Sequence, residues 1–293
     1  MKYQSGSAFR RALETRLRDR SLKSGLPLVR LRKMVVFDRF LARLAESQPD
    51  QWVLKGGLAL QLRLGDRART TKDIDLLFLE ESHKIQRQLR EAVALDLGDW
   101  FTFEVGRPSD NQERAGGGIR HTVLSLLDGR TFERFHIDIG VGDPVVEAVE
   151  YLVTPNLLTF AEIEPVIVPC YPISQQLAEK CHAYTKTYAS GVSTRIKDFV
   201  DIILLAEIGE ISGQNLTAAI KATFQNAGNH DIPRLIPPPP RTWEGGFRRL
   251  ANEVGLSEDS LESSYARIQQ FFDPILTGKA SDLQWKPESW SWS

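Results

Sequence analysis

Two aspartates separated by one residue, Asp73 and Asp75, lie in the run Asp73-Ile74-Asp75-Leu76-Leu77-Phe78. The run is apolar enough to be a strand, and side chains on a strand alternate between faces, so the two carboxylates point the same way while Ile74 and Leu76 point into a core. Paired carboxylates on a rigid strand repel one another unless a cation lies between them. Mg²⁺ takes hard oxygen ligands and is commonly held by one or two carboxylates together with substrate phosphates. The chemistry to look for is therefore phosphate chemistry, although a lone Asp-x-Asp is more often a solvated strand end.

The elements around this pair carry the same suggestion. Trp52-Val53-Leu54 reads as a short buried strand, followed by Lys55-Gly56-Gly57 and then by the helix formers Leu58 to Leu64. A strand that turns through two glycines into a helix presents backbone N–H groups and the positive end of the helix dipole, where a phosphate is stabilised. A basic connection, residues 65–72, leads to the aspartates and brings Arg69 and Lys72 as further phosphate contacts. Further on, Phe135-His136-Ile137-Asp138-Ile139-Gly140 alternates so that Asp138 faces away from the core. If its strand neighbours the first, Asp138 becomes a third carboxylate beside Asp73 and Asp75.

Strand, Gly-Gly, helix, basic linker and Asp-x-Asp strand in this order resemble the entry to the DNA polymerase β-like nucleotidyltransferase fold. The segments Leu54-Lys55-Gly56-Gly57-Leu58-Ala59-Leu60 and Arg69-Thr70-Thr71-Lys72-Asp73-Ile74-Asp75-Leu76 resemble more narrowly the AbiEii-type toxin nucleotidyltransferases, which include the MenT toxins. Most of the superfamily has Gly-Ser where this chain has Gly56-Gly57, which removes one hydroxyl contact to phosphate and leaves the backbone cradle. A second resemblance lies in Ala178-Glu179-Lys180 followed by Arg195-Ile196-Lys197-Asp198-Phe199-Val200-Asp201. It implies Lys180 as a phosphate clamp and Asp198 as the functional acid, with Asp201 the next candidate for that role. On the residues alone, Lys180 reads equally as surface charge, and the two aspartates as partners of Arg195 and Lys197.

The chain has 293 residues, 42% hydrophobic, enough for a substantial core in one large or two modest domains. The resemblance implies an α+β fold: a polymerase β-like core with a mixed sheet flanked by helices, and a helical C-terminal domain. The expected parts are basic N-terminal helices in residues 1–46, a catalytic domain over 47–170 and a mainly helical domain over 171–293. Cys170 and Cys181 have no metal-like spacing and read as reduced thiols. No apolar run suffices to span a bilayer and no signal-peptide core opens the chain, so a cytoplasmic protein with no membrane partner is expected.

The net charge of −1 conceals a segregation, because residues 1–44 hold twelve Lys or Arg against three acids, +9, leaving −10 for the remainder. Helices are expected over 8–21 and 27–46. In the second, Val35, Val36, Phe37, Phe40, Leu41 and Leu44 form an apolar stripe, and Arg30, Arg32, Lys33, Arg39 and Arg43 are expected outside it as a basic face for nucleic acid. Later expectations are strands over 100–105 and 121–127, helices over 82–95, 175–188 (capped by Ser174), 193–208, 242–254 and 257–272, and a tryptophan-rich tail, Trp285 to Ser293, docked on the core.

Together these imply a Mg²⁺-dependent enzyme, with Mn²⁺ as a substitute ion, that takes an NTP as substrate. Asp73, Asp75 and Asp138 would hold metal; Lys55, Gly56, Gly57, Arg69, Lys72, Lys180 and Asp201 would hold the nucleotide. An acceptor hydroxyl, deprotonated near Asp138 or Asp198, would attack the α-phosphate and expel pyrophosphate. The resemblance implies a toxin paired with an antitoxin protein, adding nucleotides to the tRNA 3′ end and blocking translation. Alternatives are a small-molecule or protein hydroxyl acceptor, and a catalytically silent nucleotide- or RNA-binding module.

Overall fold

A computed structural model of the chain describes residues 2–79, 82–108, 118–186, 195–257 and 260–293. The chain forms two compact units, one of residues 1–65, 70–142 and 150–170, the other of residues 66–69, 143–149 and 171–293.

The first unit begins with α1 (Gly6–Ser24) and α2 (Leu28–Ser47). The Ser5 hydroxyl accepts from the Ala8 N–H at the start of α1, and Gly25 ends it in the left-handed conformation with its N–H on Ser21 O. Then follow β1 (Trp52–Lys55), α3 (Gly56–Leu64), β2 (Asp73–Phe78), α4 (Ser82–Ala94), β3 (Phe101–Pro108), β4 (Ile119–Leu127), β5 (Arg130–Val141), β6 (Glu150–Val153) and β7 (Ile167–Cys170). Among the described residues these seven strands make one mixed sheet in the order β3-β4-β5-β2-β1-β7-β6. The β2–β5 and β1–β7 pairs are parallel and the others antiparallel. The fold is thus α+β. Strands β6 and β7 complete one edge of the sheet. Trp100 takes a positive φ of 63°, which starts β3 one residue later than expected. At its other end β3, expected to stop at residue 105, runs on to Pro108.

One face of the sheet buries aromatic rings against α2. Phe37 and Phe40 meet Phe135 edge-on at 5.2 and 5.6 Å, and Phe40 meets Phe103 at 5.7 Å. The apolar stripe of α2 is buried as expected. Its basic face is not solvent-exposed, which corrects the expectation of a free cationic surface: Arg30, Arg39 and Arg43 are at most 4% exposed. The physical cause is that α1 and α4 also pack on this helix, so its cations are buried and each needs a partner. Arg43 forms a bidentate pair with Asp99 at 2.7 and 3.0 Å and donates to Phe101 O. Arg39 pairs with Asp38, Arg30 donates to Gly65 O, and Arg32 and Lys33 reach Glu133. Burial raises the Asp38 pKa, with Arg39 and Thr154 opposing. The exposed cations of residues 1–44 lie on α1 and its flank: Lys2, Arg11, Arg16, Arg18, Arg20 and Lys23.

The second unit is mainly helical, with α5 (Ile173–Thr185), α6 (Ile196–Ile208), α7 (Gly213–Ala227), α8 (Glu244–Val254) and α9 (Leu261–Leu276). A small sheet joins β8 (Ile211–Ser212), β9 (Gln284–Lys286) and β10 (Ser291–Trp292). One cap expectation is corrected: helix α5 begins at Ile173 after Pro172, and Ser174 is buried inside its first turn. Helix α9, expected from residue 257, begins at Leu261 after Ser260, whose hydroxyl accepts from the Ser263 N–H. The ends expected at 187–188 and 193–194 lie outside the described residues.

The tail docks as expected. Trp285 is fully buried and donates its indole N–H to Ala206 O at 2.8 Å; Trp292 donates to Phe271 O, and Trp290 carries Arg267 over its ring at 3.6 Å. Cys170 and Cys181 are free and buried, with burial pushing each thiol pKa up to about 12. Among the described residues no helix is long and apolar enough to cross a membrane.

Candidate active site

The site residues of the first unit stand in one row across four strands. Lys55 on β1 is the register partner of Asp75 on β2; Asp75 is the partner of Asp138 on β5; Asp138 is the partner of Arg120 on β4. Register partners share a face, so the sheet presents a cation, two carboxylates and a second cation side by side. The adjoining row holds Asp73, His136 and Thr122, the last two hydrogen-bonded at 3.2 Å. Ile74, Leu76, Ile137 and Ile139 are buried on the opposite face, as the alternation requires.

Gly56 couples this row to the helix that follows β1. Its φ is +66°, and a Cβ there would overlap the Asp75 Oδ2 atom and come within 2.6 Å of its Cγ. Only glycine meets both conditions, the left-handed backbone and the close approach of the carboxylate. Gly57 is buried in the first turn of α3, and no side chain caps the helix at Lys55.

Arg120 was not anticipated, because the strand was expected to begin at His121. The signal was present: counting back in twos from Thr122 and Leu124 places Arg120 on the face opposite the buried Val123 and Ser125. Its Nε and Nη2 donate to the two oxygens of Asp138, both at 2.6 Å, and Nη2 also reaches Asp73 Oδ2 at 3.3 Å. These hydrogen bonds, Asp138 first, raise the guanidinium pKa further. Lys33 and the exposed Lys72 add positive charge near Asp73. Burial lowers the Lys33 pKa, and Glu133 and Asp73 partly restore it.

The residues of the second resemblance gather in the second unit. Asp201, fully buried on α6, accepts from Arg69 Nε at 3.0 Å and Nη2 at 2.8 Å, and from Lys180 Nζ at 2.7 Å. Lys180, buried on α5, also reaches Asp198 Oδ1 at 3.4 Å, while Arg195 lies 3.6 Å from the other Asp198 oxygen. Burial pulls the ammonium pKa down, but Asp201 and Asp198 more than reverse this and it ends raised. Burial likewise pushes the Asp201 pKa up, and Lys180 and Arg69 bring it below the usual carboxylate value. The partner of Asp201 is therefore a buried lysine and a distant arginine rather than Lys197.

Among the described residues no group of three or more His, Cys, Asp or Glu side chains is arranged to hold a metal ion. Asp73 and Asp75 nonetheless fit the usual Mg²⁺ requirement of one or two carboxylates completed by substrate phosphates. Asp138 stands beside them with both oxygens engaged by Arg120.

No curated protein matches the chain. Among solved structures it is similar to MenT4, a nucleotidyltransferase toxin from Mycobacterium tuberculosis H37Rv, at 15% identity and a TM-score of 0.52, covering 84% of this chain and 91% of that one. It is also similar to JHP933 from Helicobacter pylori, at 14% identity and a TM-score of 0.44, covering 84% and 93%. A family model, the nucleotidyl transferase AbiEii toxin of Type IV toxin–antitoxin systems, matches residues 39–291. Most of the chain, including Lys55, Asp73, Asp75, Arg120, Asp138, Lys180, Asp198 and Asp201, falls within that match, and the chain belongs to the AbiEii nucleotidyltransferase toxin family.

Proposed function

We propose that this nucleotidyltransferase moves a nucleoside monophosphate from an NTP to an RNA acceptor, the tRNA 3′ end above all, and in doing so blocks translation as the toxin of a cytoplasmic toxin–antitoxin pair. The observation that carries the phosphoryl-transfer reading is the row Lys55, Asp75, Asp138, Arg120 with Asp73 beside it and Gly56 against Asp75. Asp73 and Asp75 would hold Mg²⁺, or Mn²⁺ in its place. The ion, when bound, neutralises phosphate charge as the bond to pyrophosphate breaks.

The other roles follow from what each side chain already touches. The α3 N-terminus behind Gly56 and Gly57, with Lys55 and Lys72, suits the triphosphate. Asp138 is held by Arg120 at 2.6 Å on both oxygens, whereas the Asp198 contacts to Lys180 and Arg195 are long, 3.4 and 3.6 Å, which favours Asp198 as the acceptor of the attacking hydroxyl's proton. Lys180 is assigned to phosphate by the resemblance. Asp201 and Arg69 are then positioning residues that fix its ammonium. With α2's cations buried, RNA contact would fall to Arg11, Arg18, Arg20 and Lys23 on α1, exposed side chains suited to sequence-independent phosphate contact.

Incubation with labelled NTPs, Mg²⁺ and total tRNA tests this reading. Label on tRNA is expected, with Asp73→Asn reducing it on the order of a thousandfold and abolishing growth inhibition. Charge reversal of the four α1 residues should weaken tRNA labelling without impairing NTP binding. Label on a small molecule or on protein would replace the RNA acceptor, and nucleotide binding without transfer to anything would overturn the reading.

A further inference from the structure

Resting on the reading that Asp73 and Asp75 hold the divalent ion, we infer that Arg120 is a built-in rival cation. Its guanidinium occupies the Asp73 oxygen that a metal would need and keeps Asp138 out of the metal's coordination sphere. Three observations carry this. The register places Arg120, Asp138 and Asp75 in consecutive positions of one cross-strand row, so the guanidinium is fixed at the rim of the acid pair by the sheet itself. Both Asp138 oxygens accept from it at 2.6 Å in the bidentate geometry for which a guanidinium is shaped, which leaves Asp138 poorly available to an ion. The same Nη2 group spans to Asp73 Oδ2 at 3.3 Å, so one nitrogen is shared between the carboxylate it owns and the one it contests.

The consequences are physical. Without Arg120, the carboxylates on these adjacent strands would lose the cation that holds Asp138 and reaches Asp73, and the added negative charge would attract a divalent ion even with no nucleotide present. With Arg120, that charge is offset, and a metal must displace the long Asp73 contact to bind. An ion arriving already coordinated by triphosphate brings anionic oxygens that the neighbouring cations attract, whereas a hydrated ion brings only neutral water. Arg120 therefore biases the site toward metal delivered with nucleotide and against metal alone.

The test is Mn²⁺ binding without nucleotide, read by water-proton relaxation on the full chain. Arg120→Ala should tighten Mn²⁺ affinity on the order of tenfold, the factor corresponding to one lost charge-assisted competitor. Arg120→Lys keeps the charge without the fork and should stay within about threefold of the unmodified protein. Asp73→Asn should lose Mn²⁺ binding in either background. Far-ultraviolet circular dichroism of each variant checks folding, and should Arg120→Ala fail to fold, Arg120→Gln takes its place. If Asp73→Asn weakens Mn²⁺ binding but neutralising Arg120 leaves affinity unchanged or weaker, the inference is overturned while the metal assignment stands. If Asp73→Asn binds Mn²⁺ as well as the unmodified protein, the metal assignment itself fails, and the inference with it.

Discussion

The two charged clusters of this chain, one in each unit, use similar residues to opposite ends. On the sheet, Asp73, Asp138 and Arg120 keep side-chain exposures of 32%, 17% and 22%, and one guanidinium is divided between two acids. In the helical unit, Asp201 is wholly buried and meets two cations over three hydrogen bonds. A buried charge must be matched almost completely, because the desolvation cost is recovered only through good geometry. A partly exposed cluster can tolerate a long contact such as the 3.3 Å one to Asp73, and a long contact is one that a ligand can displace. The contrast separates a cluster suited to binding from one suited to holding its neighbours in place.

The largest expected effect on stability tests the buried side. Asp201→Ala takes from the buried Lys180 its closest carboxylate and from Arg69 its bidentate one, and should cost about 3–5 kcal/mol in urea unfolding. Asp73→Asn, partly exposed, should stay within about 1 kcal/mol of the unmodified protein. Equal losses would erase the distinction.

A smaller effect is expected at the join between strand and helix. Gly56→Ala imposes a left-handed backbone on a residue with a Cβ and forces Asp75 aside, so stability should fall by about 1–3 kcal/mol. Transfer should fall by more than the stability loss explains, measured as kcat on the fraction that is folded. Full activity in a folded Gly56→Ala protein would show that Asp75 need not stay where it is.

The smallest concerns histidines of the helical unit. His182 and His230 lie with ring centroids 4.6 Å apart and share the Asn229 carboxamide oxygen. Burial, the largest cause for each, lowers both pKa values below 6.5. A depressed folded-state value means that the neutral form is favoured by folding. The stabilisation is therefore present above pH 6.5 and is lost as pH falls through the folded values. A Tm scan between pH 7.5 and 5.5 should fall by roughly 2–4 °C, and His230→Asn should flatten the slope. An unchanged slope would show that these rings do not titrate in that window.

Much of the sheet site was legible because its rules are local. Period-two alternation put Asp73 and Asp75 on one face and Asp138 on the matching face of its own strand. The parallel pairing of β2 with β5 then joined them. What escaped was set by partners far along the chain. Arg43 reads as a surface cation on a helical wheel, and only Asp99, 56 residues later, explains its burial. Arg69 reads as a phosphate ligand until Asp201, 132 residues later, takes both sides of its fork. Arg120 was lost by a one-residue error in a strand boundary, the least secure part of any such reading. The start of α5 was misplaced because Ser174 is a plausible cap by type, while Pro172 precedes the helix that forms; α9 was started four residues early, before Ser260.

The interleaved path of the chain limits how it can be dissected. A fragment starting at Tyr171 would keep Lys180 and Asp201 but leave behind residues 66–69, and with them the guanidinium that occupies two of the three contacts on the most deeply buried acid. It would also lose Glu147, which accepts from the Asn215 amide at the start of α7. Anyone expressing the helical part alone would thus be working with an aspartate deprived of half its counter-charge, and should graft the Asp66–Arg69 strip back before judging whether that part can stand by itself.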